Sequence, residues 1–419
     1  MKIQSLLGRE IYDSRGEPTL QAMLFLDDGR HVTASVPSGA SRSAFEAYEL
    51  RDGGQRLLGR GVTRAVELLE QEIAPVFSNK EPDVVTMDSI MIGMDDSTDK
   101  SYLGANTMLA ASCAVLKAQA LAYDMELYQL IAHLCGLDQV TLPHPMFNMI
   151  NGGAHADNAL HVQEFLIVPI GLGSFRETMQ AGATFFYYLR QVLQEHKKTT
   201  AVGDEGGFAL DCKSEQEVFE YLMRAKERAE KQIPANYVIG LDVAASQFYT
   251  AKTDTYTWYT TKKSSQEMLE MYSKWIEKYP IFSIEDGLSE QDQDGWQMMM
   301  ATLGKTIQIV GDDIFATSPE RIWHGIENSL ANAAIIKPNQ IGTVTETLQA
   351  IGLCKEYDLN AIVSHRSGET NDTFIADLAF GTNVGALKAG GLSRGERLAK
   401  YNHLLGIEDM LALSVLESQ

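Results

Sequence analysis

In its second half the chain repeats one pattern: a short apolar run, a polar loop, then a stretch with apolar residues three and four apart. The apolar runs are "YVIGLD", "IFSIED", "IQIVGD", "AAIIKP" and "NAIVSH". Between them lie "EMLEMYSKWIEKY", "DGWQMMMATLG", "PERIWHGIENSL" and "TVTETLQAIGLCKEY". Near-continuous apolar strands alternating with amphipathic helices predict a parallel sheet clothed in helices. Five consecutive units without a Gly-rich dinucleotide fingerprint favour a closed barrel over a nucleotide-binding sheet.

The first part of the chain is patterned differently. "TLQAMLFLDDGRHVTASV" alternates apolar and polar positions about a bend at Asp27, Asp28 and Gly29, which predicts a hairpin. "AVELLEQEIAPVF" and the alanine-rich "TMLAASCAVLKAQALAY" then have helical spacing. Residues 1–130 are therefore expected to form an N-terminal α+β capping domain. "GLDQVTLPHPMFNMINGG", with two prolines and a Gly pair, reads as the passage to a C-terminal α/β barrel over residues 140–419.

Composition narrows the function. With 45% hydrophobic and 22% charged residues and no low-complexity tract, the chain reads as globular. The formal net charge of -21 argues against nonspecific binding to nucleic acid or anionic lipid. No stretch approaches the roughly 20 apolar residues of a membrane span, and the N-terminus lacks the apolar core of a signal peptide. Four scattered cysteines without CxxC spacing fit reduced thiols, and a cytoplasmic location is expected.

The strands end in charge. A core strand that runs into an unpaired carboxylate is costly, so it either surfaces or delivers charge where charge is needed. On the C-terminal face of a barrel, where active sites form, the successive strand ends are Asp242, Glu285, Asp312, Lys337, then His365, Arg366 and Ser367. Three hard oxygen ligands without nearby cysteine or paired histidine suit Mg²⁺; the alternative is that each acid merely caps the next helix. Lys337, and Lys388 in "LKAGGLSRGE", could serve as bases if neighbouring cations or burial disfavour their ammonium forms, or could simply pair with the acids. Arg366 beside Ser367 makes an anion grip, and Glu205 before Gly206 and Gly207 sits where backbone can approach a ligand, although that stretch in isolation reads first as a bland turn.

These residues stand in longer motifs: "YDSRGEPT", "SGAS" followed by "EAYELRDGG", "NMINGGAHADN" with "QEFLIVP", "VGDEGGFA", "LDVAAS", "SIEDGL", "VGDDIF", "IKPNQIGT", "SHRSGET" and "KAGGLSRGERLAKYN". In that order, from about residue 3 to residue 410, the sequence resembles the enolases, the phosphopyruvate hydratases of glycolysis. The resemblance implies an eight-stranded barrel of the enolase type and reversible, Mg²⁺-dependent dehydration of 2-phosphoglycerate to phosphoenolpyruvate through an enediolate. It implies that Asp242, Glu285 and Asp312 hold a first Mg²⁺, and that Ser38 binds a second that arrives with substrate. Lys337 is then the base, Glu205 the acid helped by Glu164, and His365 the active-site histidine. His155, Gln163, Arg366, Ser367 and Lys388 contact the substrate. A homodimer or higher homo-oligomer is expected, with a small phosphorylated acid as the only other partner.

Some positions depart from the usual pattern. Arg42 and Ser43 follow "SGAS" where a threonine and often a glycine are usual; Leu160, His161, Leu210 and Gln247 are also unusual. Gln21 and Gly406 stand where a glutamate and an arginine usually pair across the dimer interface. Two other readings therefore stay open: a related lyase acting on a different acid, and a weakly active paralogue with a binding role.

Overall fold

A computed structural model describes residues 1–40 and 43–417, so Arg42 lies outside the described residues. The chain begins with an antiparallel sheet of β1 (Ile3–Tyr12), β2 (Pro18–Leu26) and β3 (His31–Ser35), in that order. The bend between β2 and β3 falls at Asp27–Gly29 as the alternation predicts, and Gly29 has φ +87°, a conformation that side chains with a Cβ rarely adopt. The helix Ala105–Ala122, buried over most of its length, packs on β2 and β3.

The barrel strands are β4 (His144–Asn151), β5 (Glu164–Ile170) and β6 (Asn236–Asp242), then, after a small sheet of β7 (Tyr249–Thr250), β8 (Thr255–Trp258) and β9 (Thr261–Lys263), β10 (Ile281–Glu285), β11 (Gln308–Gly311), β12 (Ala333–Ile336), β13 (Asn360–Ser364) and β14 (Ala386–Lys388). Among the described residues, eight of these close into a barrel in the order β10-β11-β12-β13-β14-β4-β5-β6. Met146, Leu166, Val168, Val310, Ala333, Ile335 and Ile362 fill a separate apolar cluster contributed by its strands.

The sheet is not wholly parallel, in contrast to the expectation. β5 runs antiparallel to both β4 and β6. The link from β4 to β5 holds only a short 3₁₀ turn at Gly153–His155, too little for the crossover that parallel neighbours require, so the chain returns as a hairpin. From β6 to β10 and on to β4 every pairing is parallel.

The N-terminal elements are pinned to the C-terminal mouth of the barrel. Ser38 and Gly368 exchange backbone hydrogen bonds of 2.8 and 2.9 Å, and Ala47 N–H donates to the Gln340 carbonyl at 2.8 Å. Glycine suits position 368, because a Cβ would meet the Ser38 backbone carbonyl at 2.7 Å. No helix among the described residues is long and apolar enough to cross a membrane.

Candidate active site

Strand direction decides which residues meet. β6 and β10 are in register with Asp242 opposite Glu285. Asp312 follows β11, Lys337 follows β12, His365 to Ser367 follow β13, and Lys388 closes β14. Because β5 is antiparallel, its first residue rather than its last reaches the same face, and Glu164 lies opposite Asp242 and Asn151. Of the residues expected to form the site, all but Glu285 and Ser38 line one cavity.

At its floor the Lys388 ammonium donates to Asp242 Oδ2 at 2.8 Å and to Glu285 Oε1 and Oε2 at 2.8 and 2.9 Å. Glu164 Oε1 lies 3.2 Å from the same nitrogen. Burial disfavours this ammonium, but Asp242, Glu164 and Glu285 outweigh burial and hold its pKa well above the ordinary lysine value. Glu285 is pushed well above the carboxylate range, by burial first and then by the Asp242 charge. Lys337 Nζ donates to Asp312 Oδ2. Burial opposes its charge too, yet Asp312 prevails and the pKa is raised. The ammonium is therefore not disfavoured by the protein groups alone, contrary to what a base requires; a cation held by Asp312 would compete for that support.

Opposite these lysines, Asn148 Nδ2 donates to both Glu164 Oε2 at 2.9 Å and Glu205 Oε2 at 3.2 Å. Ser367 Oγ donates to Glu205 Oε1 at 2.9 Å and lies 3.0 Å from His155 Nε2. Burial works against an ionised Glu205, but the histidines His155 and His365 and the Arg397 charge overcome it and lower its pKa. Glu164 is raised well above its usual value by burial and by the Glu205 charge. Burial and mutual repulsion thus favour the protonated form at Glu164, while the surrounding cationic groups favour the ionised form at Glu205.

The donor set fits a hard cation. Asp242 and Glu285 already turn oxygens onto one small cationic centre, and they offer neither sulfur nor nitrogen. Closer groupings, with ligand atoms within 4.8 Å of one another, are Asp286 with Asp312 and Asp313, and His155 with Glu164 and Glu205. Asp286 is committed by φ +43° and by accepting the backbone N–H groups of Asp312 and Asp313 at 2.9 and 3.0 Å, so it orients the Asp312 turn. Ser38 is turned elsewhere: its hydroxyl donates to Glu49 Oε1 at 3.0 Å and accepts from Arg51 Nη2 at 2.9 Å.

Residues 3–131 match the family model described as "Enolase, N-terminal domain", and residues 139–416 match "Enolase, C-terminal TIM barrel domain". A protein named "Enolase" from Ehrlichia chaffeensis is 46% identical over 416 residues, covering 99% of this chain and 98% of that one. An "Enolase" from Ehrlichia canis is 45% identical with the same coverage. The chain belongs to the enolase family. At that level it is a carbon–oxygen lyase of enolase fold.

Several unusual positions acquire partners. Leu160 and Leu210 are buried, and His161 packs against Phe248, Trp258 and Tyr259 while its Nε2 accepts from Tyr259 N–H at 3.2 Å. Gln247 donates to Gln163 Oε1 at 2.6 Å. Gln21 accepts from Arg9 Nε and donates to Ser35 Oγ, both at 2.7 Å, whereas Gly406 is exposed. Sequence reasoning passed over Asn148, Asp286, Asp313, Glu46 and Arg397. Asp286 and Asp313 were visible as the second acids of "IEDG" and "GDDI"; Arg397, on the helix Gly395–Glu417, stood inside the motif "KAGGLSRGERLAKYN" but was given no role of its own.

Proposed function

We propose that the chain performs the glycolytic enolase reaction, the reversible dehydration of 2-phosphoglycerate to phosphoenolpyruvate. One observation carries this reading: two lysines, the buried Lys388 and the half-buried Lys337, face acidic strand ends in the cavity that also holds Arg366, Ser367 and the Glu164–Glu205 pair. The reaction needs a base, an acid on another side of the substrate, and charge to support a doubly ionised intermediate.

In this reading Arg366 and Ser367 hold the phosphate, and His155 and Gln163 contact the rest of the substrate. Lys337 takes the proton beside the carboxylate, and the fixed Lys388 ammonium stabilises the enediolate. Glu205 delivers a proton to the departing hydroxyl, helped by Glu164, with the neutral ring of His365 beside it. Asp242, Glu285 and Asp312 would hold the first Mg²⁺, and Ser38, after exchanging its present bonds, the second. Bound there, Mg²⁺ supplies Lewis-acid charge for the substrate carboxylate. The enzyme is proposed to be cytoplasmic and to act as a homodimer or higher homo-oligomer, with residues 1–130 and 140–419 as its two domains; only monomer in sedimentation at micromolar protein would contradict the assembly.

A spectrophotometric assay of phosphoenolpyruvate formation with Mg²⁺ and with a chelator tests the reading. Activity should require the metal, and Lys337→Ala should lower the rate by about 10²- to 10⁴-fold. A near-normal rate in that variant removes Lys337 from the base role, and no turnover by the unaltered chain with Mg²⁺ overturns the function.

A further inference from the structure

The guanidinium assigned above to the substrate phosphate already holds an anion from the chain itself. Arg366 Nη1 donates to Glu46 Oε2 at 3.2 Å, and Nη2 donates to Glu46 Oε1 and Oε2 at 3.1 and 3.3 Å. Both side chains are buried, at 5% and 7% exposure, and both line the cavity that contains Lys337 and Asp312. Glu46 is not there by accident of a free tail. Ser43 Oγ donates to Glu290 Oε2 at 2.6 Å, the Phe45 ring lies 3.2 Å under the Arg321 guanidinium, and Gln340 Nε2 donates to Glu46 Oε1 at 3.3 Å.

We propose that Glu46 is a built-in competitor for the substrate phosphate: its carboxylate occupies the Arg366 fork and must be exchanged for the phosphate group when substrate binds. The inference rests on the function proposed above and assigns a residue that sets the affinity of that same site. A guanidinium fork accepts carboxylate and phosphate oxygens with one geometry, so the two compete for the same N–H groups. Glu46 is intramolecular and therefore present at high effective concentration. A single carboxylate nevertheless yields to a phosphate ester, which carries about -1.5 to -2 charges near neutral pH and three acceptor oxygens. Apparent affinity then equals intrinsic affinity reduced by the fraction of molecules in which Arg366 is not held by Glu46. Anions that bind weakly fall below the threshold.

A second role for Glu46, as a brace that merely orients Arg366, predicts the opposite sign. Binding of inorganic phosphate to the full chain, measured by calorimetry for the unaltered protein and Glu46→Gln, separates them. Competition predicts tighter phosphate binding in Glu46→Gln, by about ten- to a hundredfold if the pair has the usual strength of charged hydrogen bonds. It also predicts a lower KM for 2-phosphoglycerate without a rise in kcat. Unchanged or weaker phosphate binding in Glu46→Gln overturns the proposal. Should that variant not fold, Glu46→Asp, which draws the carboxylate one methylene back from Arg366, is expected to shift the affinity the same way, and unchanged or weaker binding there overturns it equally. Phosphate binding is read without turnover, so tighter binding in a chain that never forms phosphoenolpyruvate would sink the function and keep the competitor. Normal turnover with untightened phosphate binding would do the reverse.

Discussion

Arg397 donates from Nη1 to His365 Nδ1 across 2.7 Å, and the arginine is fully buried. A guanidinium has no acceptor, so Nδ1 must be bare and the ring proton must sit on Nε2, which lies 3.7 Å from Glu205 Oε2. Burial holds the ring neutral, with its pKa well below the ordinary value. The same arginine ties down the loop after β13 by donating to the carbonyls of Arg366 and Ser367, each at 2.6 Å.

Arg397→Lys should therefore damage catalysis while keeping the charge. One ammonium cannot reproduce a fork that serves His365 and two carbonyls, so His365 loses its fixed tautomer and the Arg366–Ser367 loop loses its anchor. The expected fall in kcat/KM is about 10²-fold, the usual cost of a misplaced site. Nitrogen NMR of labelled histidine should show a single Nε2–H tautomer for His365 in the unaltered chain and a mixture in the variant.

Asp88 joins the helix Val84–Met94 to the start of the barrel helix Val344–Glu356, accepting from Thr345 N–H at 2.9 Å. Burial raises its pKa to about 6 against hydrogen bonds from Ser112 and Thr345. The folded state therefore keeps a proton that the unfolded state loses above its ordinary value of 3.8. Stability from this group is greatest below that pH and falls as pH rises toward 6, by roughly 3 kcal/mol at most. Asp88→Asn should match the unaltered chain at pH 4 and exceed it at pH 7, as read from urea unfolding.

His403 lies 2.9 Å from Asp377 Oδ2 on the helix Phe374–Gly381. The Asp377 carboxylate raises its pKa against partial burial. The stabilisation is complete below the unfolded histidine value and disappears as pH rises through the higher folded value. With the ring about a third exposed, solvent screening keeps the effect under about 1 kcal/mol. His403→Gln should thus lower the melting temperature slightly at pH 5.5 and leave it unchanged at pH 9.

Gln163 Nε2 faces Asp242 Oδ2 at 3.5 Å, so its Oε1 must face Gln247, which presents an N–H. A glutamate at 247 would put oxygen against oxygen and force the Gln163 amide to turn over. Gln247→Glu is expected to raise KM by about tenfold with a smaller change in kcat, because one hydrogen bond near the substrate is reversed. Equal KM values would show that the Gln163 amide is oriented by something else.

Much of the architecture was legible because its signals are local. "IFSIED" and "IQIVGD" became β10 and β11, the alanine-rich segment became the helix Ala105–Ala122, and the bend at Gly29 fell where alternation changed phase. "EFLIVP" was quoted as a motif but not as a strand, because an apolar run does not record the direction in which it will pair. Its antiparallel course is what brings Glu164 and Gln163 to the cavity that Asp242 and Lys388 line.

Residue identity and order determine the chemistry on offer: carboxylates, lysines and an arginine at successive strand ends, without thiols or paired histidines among them. They also carry the family, since its motifs are contiguous. Which groups neutralise one another was decided through space. Lys388 gathers Asp242, Glu285 and Glu164, Glu46 reaches Arg366 across 320 positions, and Arg397 fixes the proton of a ring 32 positions away. Charge and hydrogen bonding act over a few ångströms whatever the separation along the chain, so only the folded barrel could set proton locations and partners.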